Sequence, residues 1–172
     1  MKPIMRVIRE CVWYSLVGGM LFAVPGVRAA DWPCFRGPNH DGTSPEQMTA
    51  TWPMQLLWTK GIGQGWSETS IANGRVYAWG TTNNNHVVYC IDPETGTNIW
   101  TWSTAWSPQH ETTPGNHYGT CATLTIDNGK IYAIDREANL YCINEATGAQ
   151  LWYKDVSAEL GFACWRVERG TS

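Results

Sequence analysis

The sequence predicts an all-β protein built from tandem repeats, and three observations support this prediction. Eleven tryptophans and 17 glycines among 172 residues suit short strands that bury large flat side chains between tight turns. A block of strand-forming and turn-forming residues occurs twice in the chain. Asn-Gly and Thr-Gly steps divide each copy into four short segments, which is the pattern of successive hairpins.

The two copies match closely over most of their length. The hexapeptide Asn-Gly-Arg-Val-Tyr-Ala at residues 73–78 recurs as Asn-Gly-Lys-Ile-Tyr-Ala at residues 128–133. The later turn and final tryptophan also recur, since Gly96 and Trp100 lie 52 residues before Gly148 and Trp152. Repetition at this period indicates an array of similar structural units.

Each unit is predicted to form four strands, because the Asn-Gly step closes one hairpin and the Thr-Gly step turns the chain into the tryptophan strand. The predicted strands cover residues 68–72, 75–79, 86–91 and 98–102 in the first unit and 122–126, 130–135, 139–143 and 150–154 in the second. Four antiparallel strands in about 40–50 residues are typical of a β-propeller blade. Residues 55–59 resemble only the last strand of a unit and are predicted as a lone N-terminal strand. The predicted fold is therefore a partial β-propeller of about two blades.

The first 29 residues are predicted to be a signal peptide. Lys2, Arg6 and Arg9 precede an apolar run, and the small residues before Ala30 fit cleavage after Ala29. This predicts a periplasmic or secreted protein with no stable membrane span after cleavage, although an uncleaved anchor is an alternative. The remaining predicted regions are an N-terminal extension at 30–54, repeats at 55–160 with blades at about 66–102 and 119–155, and a truncated or irregular tail at 161–172.

Charge and cysteine content exclude several classes of function. The full chain has 12 basic and 15 acidic residues, and cleavage removes four basic residues and one acidic residue, which leaves a net charge of −6. An acidic product without a basic stripe argues against nucleic acid as a partner. Five cysteines remain without a Cys-x-x-Cys spacing, so a thioredoxin-like or zinc-ribbon site is not supported, and their pairing stays open.

Residues 90–100 resemble the tryptophan-docking motif of pyrroloquinoline-quinone-like (PQQ-like) propellers, and residues 142–152 are similar except for Asn144 in place of the usual acidic residue. Residues 31–42 are similar to the opening segment of exported members of that family. In this motif the glycine accepts positive φ, the Asp or Asn caps the turn, and the indole wedges between blades. The resemblance implies structural roles, in forming these turns and in packing the blades together, for Asp92, Thr95, Gly96, Trp100, Asn144, Thr147, Gly148 and Trp152.

The resemblance implies three functional alternatives. The first is a non-enzymatic exported module that binds an unidentified protein or small molecule. The second is a fragment of a PQQ-dependent dehydrogenase, and the third is a short chain that assembles a ring, as a homo-oligomer, through exposed blade faces. Family dehydrogenases assemble the quinone and calcium site from many blades, so the resemblance implies PQQ with calcium only in a complete ring. The motifs assign no catalytic, cofactor-binding or metal-ligating residue in this chain.

A polar, proline-containing connection between the units, residues 103–118, is the candidate binding loop. It carries Trp106, His110 and His117, and long loops on one face of a propeller often bind partners. An ordinary long connection is the alternative. The spacing of His86, His110 and His117 matches no helix-borne or finger-like metal site, so the sequence predicts surface or turn histidines.

Overall fold

The computed structural model describes residues 30–47, 53–106 and 119–161, which fold into two four-stranded antiparallel sheets. The first sheet contains β1 (Ser70–Ala72), β2 (Arg75–Thr82), β3 (Asn85–Ile91) and β4 (Asn98–Ala105), in that order. The second contains β5 (Thr125–Asp127), β6 (Lys130–Ile134), β7 (Asn139–Asn144) and β8 (Gln150–Asp155), also in that order. This architecture confirms the predicted all-β partial propeller of two blades.

The strand bounds follow the predicted turns. Asn73 and Asn128 adopt φ of 51° and 48°, and the glycine after each also has positive φ, so both Asn-Gly steps close their hairpins within two residues. The β2–β3 hairpin is longer than predicted, because Asn83 and Asn84 both adopt positive φ and reverse the chain alone. The ladder therefore continues to the pair Thr82 and Asn85.

The two sheets share one apolar core. Its buried members are Ala72, Tyr77, Trp79, Val88, Cys90, Leu124, Ile126, Ile131, Ala133, Tyr141 and Ile143, with Trp100 and Trp102 packed against them. Polar contacts also cross between the blades, since Ser70 Oγ donates to the Leu124 carbonyl at 2.7 Å and Trp79 Nε1 donates to the Ala122 carbonyl at 2.6 Å. Burial of this continuous surface is the main stabilising term for both blades.

The N-terminal segment joins the first strands of both blades. Trp32 exchanges two backbone hydrogen bonds with Ile71 of β1, at 2.7 and 2.9 Å. The neighbouring Pro33 carbonyl accepts from the Ile126 amide of β5 at 2.8 Å. The segment after residue 29 therefore packs on the repeats themselves, which its sequence did not indicate.

One predicted strand is absent from the structure, and one helix that the sequence did not predict is present. Residues 55–59 form no strand, because no β-bridge to this segment exists among the described residues and a strand needs a hydrogen-bonded neighbour. A short helix, α1 (Val156–Leu160), follows β8, with Asp155 as its N-cap and Gly161 at φ 67° after its end.

The predicted signal peptide and nearly all of the predicted tail lie outside the described residues. The helices of the described part of the chain include none long and apolar enough to cross a membrane.

Candidate functional site at the blade junctions

The two Thr-Gly turns have the same hydrogen-bond geometry. Asp92 Oδ1 accepts from the Glu94 amide at 3.0 Å and from the Thr95 amide and hydroxyl at 2.9 and 3.0 Å. The Gly96 amide donates to the Asp92 carbonyl at 2.9 Å. These bonds show that the side chain at the first position caps the turn, as Asx turns do.

Asn144 performs the same role in the second turn without a charge. Its Oδ1 accepts from the Ala146 amide and from the Thr147 amide and hydroxyl, each at 3.0 Å. The Gly148 amide donates to the Asn144 carbonyl at 2.9 Å. The departure from the acidic consensus therefore leaves the geometry of the turn unchanged.

Replacing Asp92 by Asn should reduce the acid sensitivity of the protein. The hydrogen bonds from Thr95, first from its amide and then from its hydroxyl, lower the pKa of Asp92. A carboxyl group with a lowered native pKa stabilises the fold above the ordinary aspartate pKa of about 4, and this stabilisation is lost as pH falls through the native pKa. Asp92→Asn should match the wild-type melting temperature at pH 7 and lose less of it on acidification below about pH 4. The melting temperature of the reciprocal variant, Asn144→Asp, should fall more than that of the wild type on the same acidification. An equal fall in the wild type and both variants would contradict this prediction.

Each turn receives a tryptophan from the preceding part of the chain. Trp58 Nε1 donates to the Pro93 carbonyl at 2.8 Å, and Trp100 Nε1 donates to the Glu145 carbonyl at 3.1 Å. The acceptors occupy equivalent repeat positions, 52 residues apart. The indoles also cover the turn glycines, since a Cβ on Gly96 or Gly148 would lie 2.7 Å from a ring carbon of the docked tryptophan. One rule therefore links consecutive units: the tryptophan of each unit docks on the Thr-Gly turn of the next.

The third tryptophan of this series, Trp152, has no such turn among the described residues. Its side chain is 38% exposed, and its neighbours Leu151 and Tyr153 are 48% and 47% exposed. The Trp152 ring lies 6.1 Å from the Tyr132 ring of its own blade. Trp152, on the outer strand β8, is therefore exposed at the repeat position where Trp100 of β4 is docked. Leu151 and Tyr153 on either side of it are exposed as well.

Glu145 is a junction residue that the sequence reasoning missed. It is buried, and its Oε1 accepts from Asn73 Nδ2 at 2.7 Å and from the Tyr77 hydroxyl at 3.1 Å, both in the first blade. Burial, followed by the nearby thiol of Cys90 and the carboxylate of Glu145, raises the pKa of Tyr77. The equivalent position in the first repeat is Pro93, so comparison of the repeats contained no signal for this carboxylate.

The candidate binding loop is described only at its start. Trp106 is buried, and its ring centroid lies 5.1 Å from that of His86. Trp106 therefore contributes to the interior beside β3, while His110 and His117 lie outside the described residues.

The prediction that His86 is a surface or turn histidine is wrong, because the β2–β3 pairing places it between Trp79 and Trp106 with 1% of its surface exposed.

Comparisons with solved structures support the propeller fold. The crystal structure of quinohemoprotein alcohol dehydrogenase from Comamonas testosteroni is similar with a TM-score of 0.51 and 21% identity, over 74% of this chain and 19% of that chain. A europium-containing methanol dehydrogenase (TM-score 0.46, 17% identity, 59% of this chain and 18% of that one) and BamB from Moraxella catarrhalis (TM-score 0.35, 17% identity, 55% and 24%) also match. The chain thus spans about a fifth of the length of these structures.

Sequence comparison finds a similarity within the repeats. No curated protein sequence matches this chain. The family model described as outer membrane protein assembly factor BamB matches residues 83–163, which include both Thr-Gly turns and the docked Trp100. Residues 83–163 of the chain are therefore similar to this family of PQQ-like β-propeller repeats.

Proposed function

We propose that this protein is a non-enzymatic, exported interaction module whose β8 edge binds a further PQQ-like blade, supplied in solution by a second copy of the chain. The observation that carries the proposal is the contrast between Trp100, which is docked on the Gly148 turn, and the exposed Trp152. Equivalent residues in a repeat array are built for equivalent contacts, so Trp152 is suited to a Thr-Gly turn.

The other end of the described repeats is complementary to this edge. The segment around Leu56 and Leu57 has both side chains at least 75% exposed and forms no β-bridge within the described residues. Trp58 of this segment is already docked on the Gly96 turn. The β8 edge of a neighbouring copy would displace this segment, so that its Trp152 docks on the Gly96 turn in place of Trp58. This contact is head-to-tail, and such contacts close into a ring or continue as a filament.

Association of the full chain tests the proposal. Sedimentation velocity over a range of concentrations should show reversible oligomers, and Trp152→Ala should weaken association by about thirtyfold, the effect of losing an aromatic anchor worth about 2 kcal/mol. Trp66→Ala is the matched control, because Trp66 is also exposed but lies before the first blade. A wild-type protein that stays monomeric, or an equal effect of the two substitutions, would refute self-association through β8.

The dehydrogenase alternative is tested by adding PQQ and calcium to the same protein. Glu145, the buried carboxylate beside the second Thr-Gly turn, is already engaged by Asn73 and Tyr77, so this carboxylate is not suited to binding calcium. We expect no change in quinone absorbance and no rise in melting temperature. A ligand present at 100 times its Kd would stabilise the fold by about 2.7 kcal/mol, which is readily measured. Such a rise would refute the non-enzymatic proposal in favour of a cofactor-binding protein.

A further inference from the structure

Three metal-ligating side chains meet near the start of β3, away from the docking turns. His86, Asp135 and Glu137 each offer one ligand atom, and these atoms all lie within 4.8 Å of one another. His86 belongs to the first blade, whereas Asp135 and Glu137 belong to the β6–β7 turn of the second blade. The cluster is therefore created by the packing of one blade on the other.

Two atoms of the cluster are buried without a hydrogen-bond partner, His86 Nε2 and Glu137 Oε2. The opposite end of each side chain is held in place. His86 Nδ1 lies 2.7 Å from Thr81 Oγ1, and Glu137 Oε1 accepts from Trp106 Nε1 at 3.0 Å. A buried polar atom without a partner destabilises the fold, so two such atoms in one cluster are suited to a species bound between them.

Asp135 is oriented by its own turn. Its Oδ1 accepts from the Glu137 and Asn139 amides at 3.0 and 2.8 Å, and its Oδ2 accepts from Asn139 Nδ2 at 2.9 Å and, more weakly, from the Tyr141 hydroxyl at 3.2 Å. The Tyr141 contact, at 3.2 Å, is the longest of these, so Oδ2 is the Asp135 oxygen better placed to accept a cation.

We propose that His86 Nε2, Glu137 Oε2 and Asp135 Oδ2 bind a divalent transition-metal ion of the zinc class, in a site shared by the two blades. An imidazole nitrogen with two carboxylate oxygens suits zinc and its neighbours, whereas calcium and magnesium prefer oxygen ligands alone. In a tetrahedral site two ligands about 2.1 Å from the ion lie about 3.4 Å apart, so ligand atoms separated by up to 4.8 Å must move closer, by about 1 Å, on binding. Water completes the coordination.

The surroundings favour the ligating forms of these groups. Burial lowers the pKa of His86, despite the opposing effect of the Asp135 charge, and so favours the neutral imidazole. In the tautomer whose Nδ1–H donates to Thr81 Oγ1, the Nε2 lone pair is available to a metal ion. A hydrogen bond between Nδ1 and Thr81 Oγ1 fixes the ring orientation, as partners of metal-bound histidines commonly do. Two partly buried carboxylates also attract a cation more strongly than exposed ones.

Zinc binding by the chelator-treated full chain tests this proposal. Titration with ZnCl2 in a calorimeter should reveal one tight site and raise the melting temperature, and CaCl2 should produce neither change. Glu137→Gln keeps the acceptor for Trp106 and removes the charge, and it should weaken zinc binding by about 100-fold or more. His86→Gln should have a similar effect. Cobalt(II) added in place of zinc should give visible absorption bands that both variants lose.

His40→Gln is the matched control, because His40 is exposed and lies beside Cys34 instead of the cluster. It should bind zinc as the wild type does. Absence of zinc binding in the wild type would show that the cluster is not a zinc site, and unchanged binding in Glu137→Gln would show that the ion binds elsewhere. Either result overturns the proposal, and neither depends on the oligomeric state. Glu137→Gln keeps the test decisive if His86→Gln fails to fold.

Discussion

Trp79→Ala should destabilise the protein by about 3–5 kcal/mol, the cost of removing a fully buried aromatic side chain from a well-packed core. The Trp79 side chain is 1% exposed and lies between the two blades, with its ring centroid 5.7 Å from that of His86. Its Nε1 donates to the Ala122 carbonyl, so the substitution also leaves a carbonyl of the second blade without this donor. Since small domains have only about 5–15 kcal/mol of stability, the variant should lose a large part of it and unfold at a much lower urea concentration.

Urea unfolding followed by circular dichroism measures this effect through the shift of the midpoint. Trp66→Ala removes the same side chain from a position that is 65% exposed and should cost less than about 1 kcal/mol. Comparable losses in the two variants would show that Trp79 does not join the blades. The zinc and calcium content of all samples should be kept equal with a chelator, because a ligand of the native state shifts the midpoint.

Gly148→Ala should cost about 2–5 kcal/mol, because two separate penalties coincide at this turn. Gly148 has φ of 73°, where an L-residue costs about 1–2 kcal/mol. The added Cβ would also lie 2.7 Å from Trp100 Cε3, and displacing the docked indole adds an overpacking cost of about 1–3 kcal/mol. Because Trp100 belongs to the first blade and Gly148 to the second, the substitution should weaken the contact between the blades as well as the turn itself.

Gly129→Ala is a closely matched control for this prediction. Gly129 also has φ of 73°, but a Cβ there would meet nothing within 4 Å. It should show the backbone penalty of about 1–2 kcal/mol alone. The difference between the two variants, measured by urea unfolding, isolates the contribution of the indole contact. If both variants lose the same stability, the docking of Trp100 on the turn contributes nothing measurable.

Local chemistry explains why the strands were predictable. The Asn-Gly steps, starting at Asn73 and Asn128, and the capped turns at Asp92 and Asn144 specify their conformations through residues only a few positions apart. The extra length of the β2–β3 hairpin escaped prediction because two consecutive asparagines, Asn83 and Asn84, can either extend a loop or close it with positive φ. Local sequence does not decide between these conformations.

The sequence by itself determined that the chain is all-β, that it repeats twice, and that each repeat ends in a turn and a tryptophan. Only the tertiary structure decided what these tryptophans contact, since docking joins Trp58 to Gly96 and Trp100 to Gly148 across distances that no local pattern encodes. The same is true of Glu145 and of the cluster of His86, Asp135 and Glu137. Glu145 lies 72 and 68 residues from its partners Asn73 and Tyr77, and His86 lies 49 or more residues from the two carboxylates of its cluster. Only the packing of one blade on the other, driven by burial of the shared core, brings them together.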